Sequence, residues 1–225
     1  MRQYGQFCPL AKALDVVGDR WTLLIVRELA VRPCRYTDLR DGLPGIATNL
    51  LADRLKSLEA AGVITVETAP PPVATTVYRL AERGEALLPA ADALAHWGAP
   101  LLADAADTDE VRARWIVPAV RMMFADVDVG DVEPLEVALD LDDEPITLSV
   151  ENGQLHAELS TARQPDVRIA CDGPTAVAIL RGQLHLEAAS RQRRAQINGS
   201  RTARARLARL VAAGATRPQS ARETS

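Results

Sequence analysis

The residues best suited to recognition chemistry are concentrated in one run, Thr48-Asn49-Leu50-Leu51-Ala52-Asp53-Arg54-Leu55-Lys56-Ser57-Leu58. Asn49 donates and accepts at once, which matches the major-groove edge of adenine, and the methyls of Thr48 and Ala52 suit a thymine methyl. Arg54 and Lys56 lie further along, where a cation meets phosphate oxygens. Lys56 has a second option in Glu59, three residues on and on the same side of a helix. Asp53 would repel phosphate, which leaves a cytosine amino group or a nearby basic residue as its partner. Arg35, Tyr36 and Thr37 open the preceding segment, where helical N–H groups favour a phosphate, although Tyr36 also fits a half-buried place in the core. Thr75, Thr76 and Arg79 follow downstream as further polar contacts.

Catalytic chemistry finds little support. His96, His156 and His185 are scattered, with no Ser or Cys partner at a recognisable spacing. There is no phosphate-binding glycine loop and no HExxH run. Cys8, Cys34 and Cys171 are odd in number and lack metal-ligand spacing, which argues against a disulfide framework or a zinc site. The sequence therefore calls for no enzyme activity, no cofactor and no metal. Cys8 precedes a helix N-terminus, where thiolate is favoured, and so is a candidate redox sensor.

Periodicity indicates what positions these residues. Leu51, Leu55 and Leu58 recur at helical spacing, widened by Leu50, so one face of this helix is buried and the other is free to read a base edge or phosphate. Tyr36 to Leu43 reads as a short helix, and Gly42 to Gly45 as the turn between the two. Gly62 ends the long helix. Val63–Thr68 and Thr75–Leu80 read as strands around the proline-rich tip Ala69–Ala74, which carries no Lys or Arg. Helix, turn, helix and hairpin in this order describe a winged helix-turn-helix. Upstream, a helix opens at Cys8-Pro9-Leu10 with Leu10, Ala13, Leu14 and Val17 on its apolar face. Asp19 is expected to cap the next, whose buried side is Trp21, Leu24, Ile25 and Leu29. A helical pattern from Ala81 to Leu102, kinked at Pro89 and broken at Pro100, is more apolar than a small domain can cover. Leu87, Leu88, Ala91, Leu94 and Trp97 are accordingly expected at a two-fold dimer interface.

The chain of 225 residues has room for one large or two small domains, and its 48% hydrophobic content is ordinary for a globular protein. No apolar run approaches the ~20 residues of a membrane-spanning helix, and no signal-peptide pattern opens the chain, so a cytoplasmic protein without a membrane partner is expected. The net charge of −4 hides segregation: residues 1–103 carry 11 basic and 11 acidic side chains, residues 104–160 carry 3 and 15, and residues 161–225 carry 12 and 4. The reading head is thus neutral, a mild objection to a nucleic-acid partner.

The second half begins after the small, acidic residues 103–109, expected to be a linker. A helix from Val111 to Phe124, bent at Pro118, leads to alternating segments at 135–141, 146–150, 155–159 and 167–171. Asn152-Gly153 marks a hairpin. A helix over 174–180, a short strand over 195–199 and a closing helix over 202–213 complete an α+β domain. The tail, 214–225, is expected to be disordered.

The first hundred residues resemble the HxlR family of bacterial winged-helix regulators. The landmarks are Cys8-Pro9-Leu10-Ala11-Lys12-Ala13-Leu14-Asp15-Val16-Val17-Gly18-Asp19-Arg20-Trp21 and the helix through Leu29, then Arg35-Tyr36-Thr37-Asp38-Leu39, Leu43-Pro44-Gly45-Ile46, Arg54-Leu55-Lys56-Ser57-Leu58-Glu59, Gly62-Val63-Ile64, and Tyr78-Arg79-Leu80 with Gly84. The resemblance implies a homodimer that binds a palindromic operator in double-stranded DNA and represses or activates transcription; a cysteine matching Cys8 senses electrophiles in several relatives. The second half looks like a sterol-carrier-protein type of domain, through Pro165-Asp166-Val167-Arg168-Ile169, Ala176 to Gly182 and Ile197-Asn198-Gly199. That likeness implies an apolar small-molecule ligand held between sheet and helices. The expected organisation is a winged head over 1–102, the linker, and a sterol-carrier-like domain over 110–213. Two other readings stand beside it: a lipid carrier with a weak DNA-binding head, and a second half that is only a brace.

Overall fold

In the computed structural model, which describes residues 3–68, 75–104, 110–124, 134–141, 144–151 and 153–215, the first helix is α1 (Pro9–Val17). Its proline sits in the first turn, where the missing N–H costs little. Gly18 closes the helix with its N–H on the Leu14 carbonyl at 2.9 Å. The face expected to be buried is turned outward, Leu10 being 68% and Leu14 39% exposed, while Ala11 packs inside. α2 (Thr22–Val31) follows, with Ile25, Val26 and Leu29 in the core and Leu24 outside it. Asp19 does not cap α2. Trp21 occupies that position at φ +79°, and the Asp19 carboxylate engages Arg54 instead.

Next come β1 (Cys34–Arg35), α3 (Tyr36–Gly42), α4 (Thr48–Ala60), β2 (Ile64–Thr68) and β3 (Thr76–Leu80). β3 pairs antiparallel with both β1 and β2, giving the order β1-β3-β2. The two-residue β1 was not foreseen, because so short a segment has no period to read. Leu51, Leu55 and Leu58 of α4 are buried against Ile25, Leu39, Leu43 and Ile64, each leucine contributing roughly 2 kcal/mol of burial. α4 stops when Gly62 takes φ +68°: the Gly62 N–H bonds the Glu59 carbonyl and the Val63 N–H bonds the Leu58 carbonyl, both at 2.9 Å. The proline-rich tip over 69–74 lies outside the described residues.

The expected helix from Ala81 to Leu102 is divided into α5 (Glu82–Glu85), α6 (Leu88–Gly98) and a 3-10 turn (Ala99–Asp104). Pro89 does not kink a helix. It sits in the first turn of α6, where proline is tolerated. Residues 1–104 form one compact unit and 105–225 a second. Of the expected linker, Ala103 and Asp104 close the 3-10 turn, and 105–109 lie outside the described residues.

The second unit opens with α7 (Ala113–Phe124), which continues through Pro118 and buries Ile116, Val117, Val120 and Phe124. It is followed by β4 (Leu135–Asp140), β5 (Pro145–Glu151), β6 (Gln154–Glu158), β7 (Val167–Cys171), α8 (Gly173–Leu180), α9 (Leu186–Arg191), β8 (Ala195–Gly199) and α10 (Arg201–Ala215). The sheet order is β6-β5-β4-β7-β8, with β4 and β7 parallel and every other pair antiparallel. Glu151 and Gln154 pair directly, leaving a two-residue connection in which Gly153 has φ +74°. α8 starts where Asp172 accepts the Thr175 N–H at 2.7 Å. Hydrogen bonding from Thr175 holds the Asp172 carboxyl below its ordinary pKa, with the nearby Arg194 adding to the effect. α9 was not foreseen, six residues being too few to display a helical repeat. α10 runs to Ala215, past the expected end at Ala213, and residues from 216 lie outside the described part.

Candidate nucleic-acid interface

Burial of the leucine stripe leaves the opposite face of α4 to solvent. Thr48, Asn49, Ala52, Asp53 and Lys56 are all exposed. The helix starts cleanly because Gly45 takes φ +85° in the turn and Ala47 enters extended. Its first residue is also tied from outside: the Tyr36 hydroxyl donates to the Thr48 carbonyl at 2.8 Å. Tyr36 is half-buried, so it joins α3 to α4 instead of standing free. Arg35 and Thr37 beside it are exposed, and the Arg35 N–H is held by the Asp38 carboxylate at 2.9 Å. Ser57 bonds back to the Asp53 carbonyl with its hydroxyl, leaving the Asp53 side chain outward.

Two of the cations read from the sequence as free for DNA are engaged within the unit. Arg54 Nη1 lies 2.6 Å from Asp19 Oδ2, with only 19% of its side chain exposed. It braces α4 against the loop between α1 and α2. Arg79 Nη2 reaches Glu67 Oε2 at 3.1 Å across β2 and β3, a pair open to water. No ion pair joins Lys56 to Glu59 among the described residues, so Lys56 keeps its charge available. Thr75 is half-buried and Thr76 exposed at the start of β3. Tyr78, on the same strand, has its phenol pKa raised by burial first, then by Glu59 and Tyr36, which keeps it neutral.

The Asp19–Arg54 pair was invisible in the sequence: 35 positions separate the partners, and neither helical nor strand spacing links them. The Trp21 ring lies under the guanidinium of its chain neighbour Arg20, 5.3 Å from the ring centre.

Residues 16–105 match the HxlR-like helix-turn-helix family, and residues 131–212 match the SCP-2 sterol transfer family. Over 94 residues the chain is 32% identical to YvaP of Bacillus subtilis (strain 168), an uncharacterized HTH-type transcriptional regulator; the match spans 41% of this chain and 87% of YvaP. This chain belongs to the HxlR-like helix-turn-helix family. It is 33% identical over 81 residues to the transcriptional regulator YodB of the same organism, covering 36% of this chain and 72% of YodB. The solved structure of reduced YodB shares 30% identity over 41% of this chain and 92% of that one, with a TM-score of 0.38.

In the HxlR-like unit the apolar residues outside the core are numerous. Tyr4, Phe7, Leu10, Leu14, Leu94, Trp97, Leu101 and Leu102 are each at least 39% exposed, with Trp97 at 73%. Ala91 of α6 is half-buried. Leu87 and Leu88, also expected at the dimer face, are half-buried and pack in part on the core of their own unit. Cys8 stands at the N-cap of α1 and is partly buried. Among the described residues no group of three or more His, Cys, Asp or Glu could hold a metal, and no helix is long and apolar enough to cross a membrane.

The unit matching the SCP-2 family has an apolar cavity between its sheet and helices, lined by Val137, Leu148 and Ile169 on the strands and by Ile179, Leu207 and Val211 on α8 and α10. Its volume is about 20 Å3, room for about one water, whereas small-molecule pockets measure roughly 300–1,000 Å3.

Proposed function

We propose that this transcriptional regulator of the HxlR-like family acts as a homodimer that reads operator DNA with α4. The observation that carries the reading is the division of α4: Leu51, Leu55 and Leu58 are buried, while Thr48, Asn49 and Ala52 stand in its exposed N-terminal turns. Asn49 pairs with adenine, Thr48 and Ala52 meet thymine methyls, and Asp53 accepts from a cytosine amino group. Arg35, Thr37 and Lys56 hold phosphates. Tyr36, Arg54 and Arg79 set the positions of the elements around them, with Thr75 and Thr76 giving a light contact from the wing. Tyr4, Phe7, Leu10, Leu14, Leu94 and Trp97 cover one another across the two-fold axis. The protein acts by binding, in the cytoplasm, with no catalytic step.

Regulation is assigned to two places. Cys8 is the redox-sensitive thiol, and its alkylation releases the operator. An apolar ligand enters the second unit, over 110–213, and alters the separation of the two recognition helices. A cavity of about 20 Å3 requires side chains on α8 and α10 to move first. That same closed interior favours the second reading, in which this unit is a brace without a ligand.

Footprinting on the DNA upstream of the protein's own coding sequence tests the dimeric reader. Two protected half-sites about 10 base pairs apart, centre to centre, are expected. A single protected half-site, or no protection, overturns the reading.

A further inference from the structure

The charge segregation of the second half is partly carried into its sheet. β4, β5 and β6 carry Glu136, Asp140, Glu151 and Glu158, whereas β7 carries Arg168 and β8 no charge. In the order β6-β5-β4-β7-β8 the acidic strands therefore lie on one side, and the arginines stand on the segments flanking the β8 edge. The seam is marked by the Arg168–Asp140 pair, 2.7 Å apart on the adjacent strands β7 and β4. From residue 186 to 215 there are seven arginines and one acid, Glu187.

Arg191, Arg193 and Arg194 are exposed just before the edge strand β8, and Arg201 and Arg209 are exposed on the helix that follows it. None of these five forms an ion pair with another described residue, although Asp172 feels the Arg194 charge. α10 buries Ala203, Leu207, Leu210 and Val211, which turns Arg201 and Arg209 to solvent on the opposite side.

Arg193 adds an independent observation. Three helices end in the same way, with one residue in the left-handed region and two N–H groups folded back on the last turn. In α4 and α8 that residue is glycine, Gly62 at φ +68° and Gly182 at +69°. In α9 it is Arg193 at φ +57°, with its N–H on Ser190 and the Arg194 N–H on Ala189. A side chain is disfavoured at this position, so the arginine sits there against backbone preference.

We infer that the β8 edge of the second unit, through Arg191, Arg193, Arg194, Arg201 and Arg209, binds the phosphate backbone of DNA beside the operator. This rests on the reading of α4 as the DNA reader. The head is neutral overall, with 11 cations against 11 anions, and supplies few of the phosphate contacts on which affinity depends. A basic edge carried on the same chain supplies them at high effective concentration once α4 is seated. It carries no sequence information, so its contribution is the same on any duplex.

The test uses the full chain and two labelled 60-base-pair duplexes, the protein's own upstream DNA and a mixed-sequence control. Wild type is compared with the triple variant R191Q/R193G/R194Q, the single variant Arg193→Gly and Asn49→Ala across a salt series. The triple variant is expected to lose about two to three units of the log K against log[salt] slope on both duplexes, and about ten- to a hundredfold in affinity at moderate salt. Arg193→Gly removes the charge while relaxing the backbone, so its affinity falls without a lower melting temperature. Asn49→Ala weakens binding only on the upstream duplex. An unchanged slope in the triple variant while wild type binds overturns the arginine edge and leaves α4 as the reader. Failure of wild type on both duplexes overturns both. Vesicles of phosphatidylglycerol serve as a second probe: binding that the triple variant loses, with its DNA slope unchanged, overturns the inference in favour of an anionic membrane surface.

Discussion

The Tyr36 hydroxyl donates to the Thr48 carbonyl across 2.8 Å, joining the first residue of α3 to the first residue of α4. Both helix starts are therefore held in one geometry, with Arg35 and Thr37 on one side of the junction and Asn49 on the other. A helix N-terminus presents unpaired N–H groups, so fixing two of them together fixes where phosphate and base edge are met.

Tyr36→Phe removes this bond and little else. It is expected to cost about 1 kcal/mol of stability by urea unfolding, the usual worth of one hydrogen bond, and to lower operator affinity several-fold. A variant with wild-type affinity would show that the junction does not orient the recognition helix.

Arg54 pairs with Asp19 at 2.6 Å, and we propose it as a brace in place of a phosphate contact. Arg54→Ala is expected to destabilise the fold, with a coupling of about 1 kcal/mol in a double-mutant cycle with Asp19→Asn. The salt slope of DNA binding stays at the wild-type value. A slope lowered by about one unit would return Arg54 to the backbone contacts.

The exposed apolar residues of α1 and α6 predict an association state. Sedimentation of wild type at micromolar concentration is expected to give a dimer, and Leu94→Glu with Trp97→Glu a folded monomer that binds DNA weakly. Leu87→Ala tests the distinction drawn within the same stretch: it loses stability, because Leu87 packs on the core, and the protein remains dimeric. Monomeric wild type contradicts the assignment.

Much of this was legible in the residues. Leu51, Leu55 and Leu58 gave α4 and its outward face, Gly62 its end, and Asn152-Gly153 a hairpin, because helical and strand periods and turn chemistry are local signals. What stayed hidden was non-local or too short to repeat. Asp19 lies 35 positions from Arg54, and β1 and α9 have two and six residues. The face of α1 misled for another reason: an apolar stripe records that a face is covered, not by what. Leu10 and Leu14 have helical spacing yet stand outside the core of their own unit. In the second unit an apolar ligand site and a packed core call for the same kinds of side chain, so the residues alone do not separate the two.

Asp172 gives a pH signature for the second unit. Its carboxyl pKa is lowered in the folded state, chiefly by hydrogen bonding from Thr175, so the ionised form favours folding. That contribution is complete above the unfolded carboxylate value, about 4, and is lost as pH falls through the lower folded value. Asp172→Ala is expected to cost about 1 kcal/mol at pH 7, as loss of a helix cap does, with the gap to wild type closing below about pH 4. A gap constant with pH would mean that the carboxylate charge plays no part.

The most direct test of the central claim is a gel-shift titration of wild type and Asn49→Ala against the protein's own upstream DNA, with mixed-sequence duplex as competitor. Asn49→Ala is expected to lose about 1–3 kcal/mol of binding to the upstream site, roughly 5- to 150-fold, while its binding to the competitor is unchanged. Equal loss on both duplexes, or no loss on either, would contradict the placing of Asn49 against a base edge and with it the reading of α4 as the recognition helix.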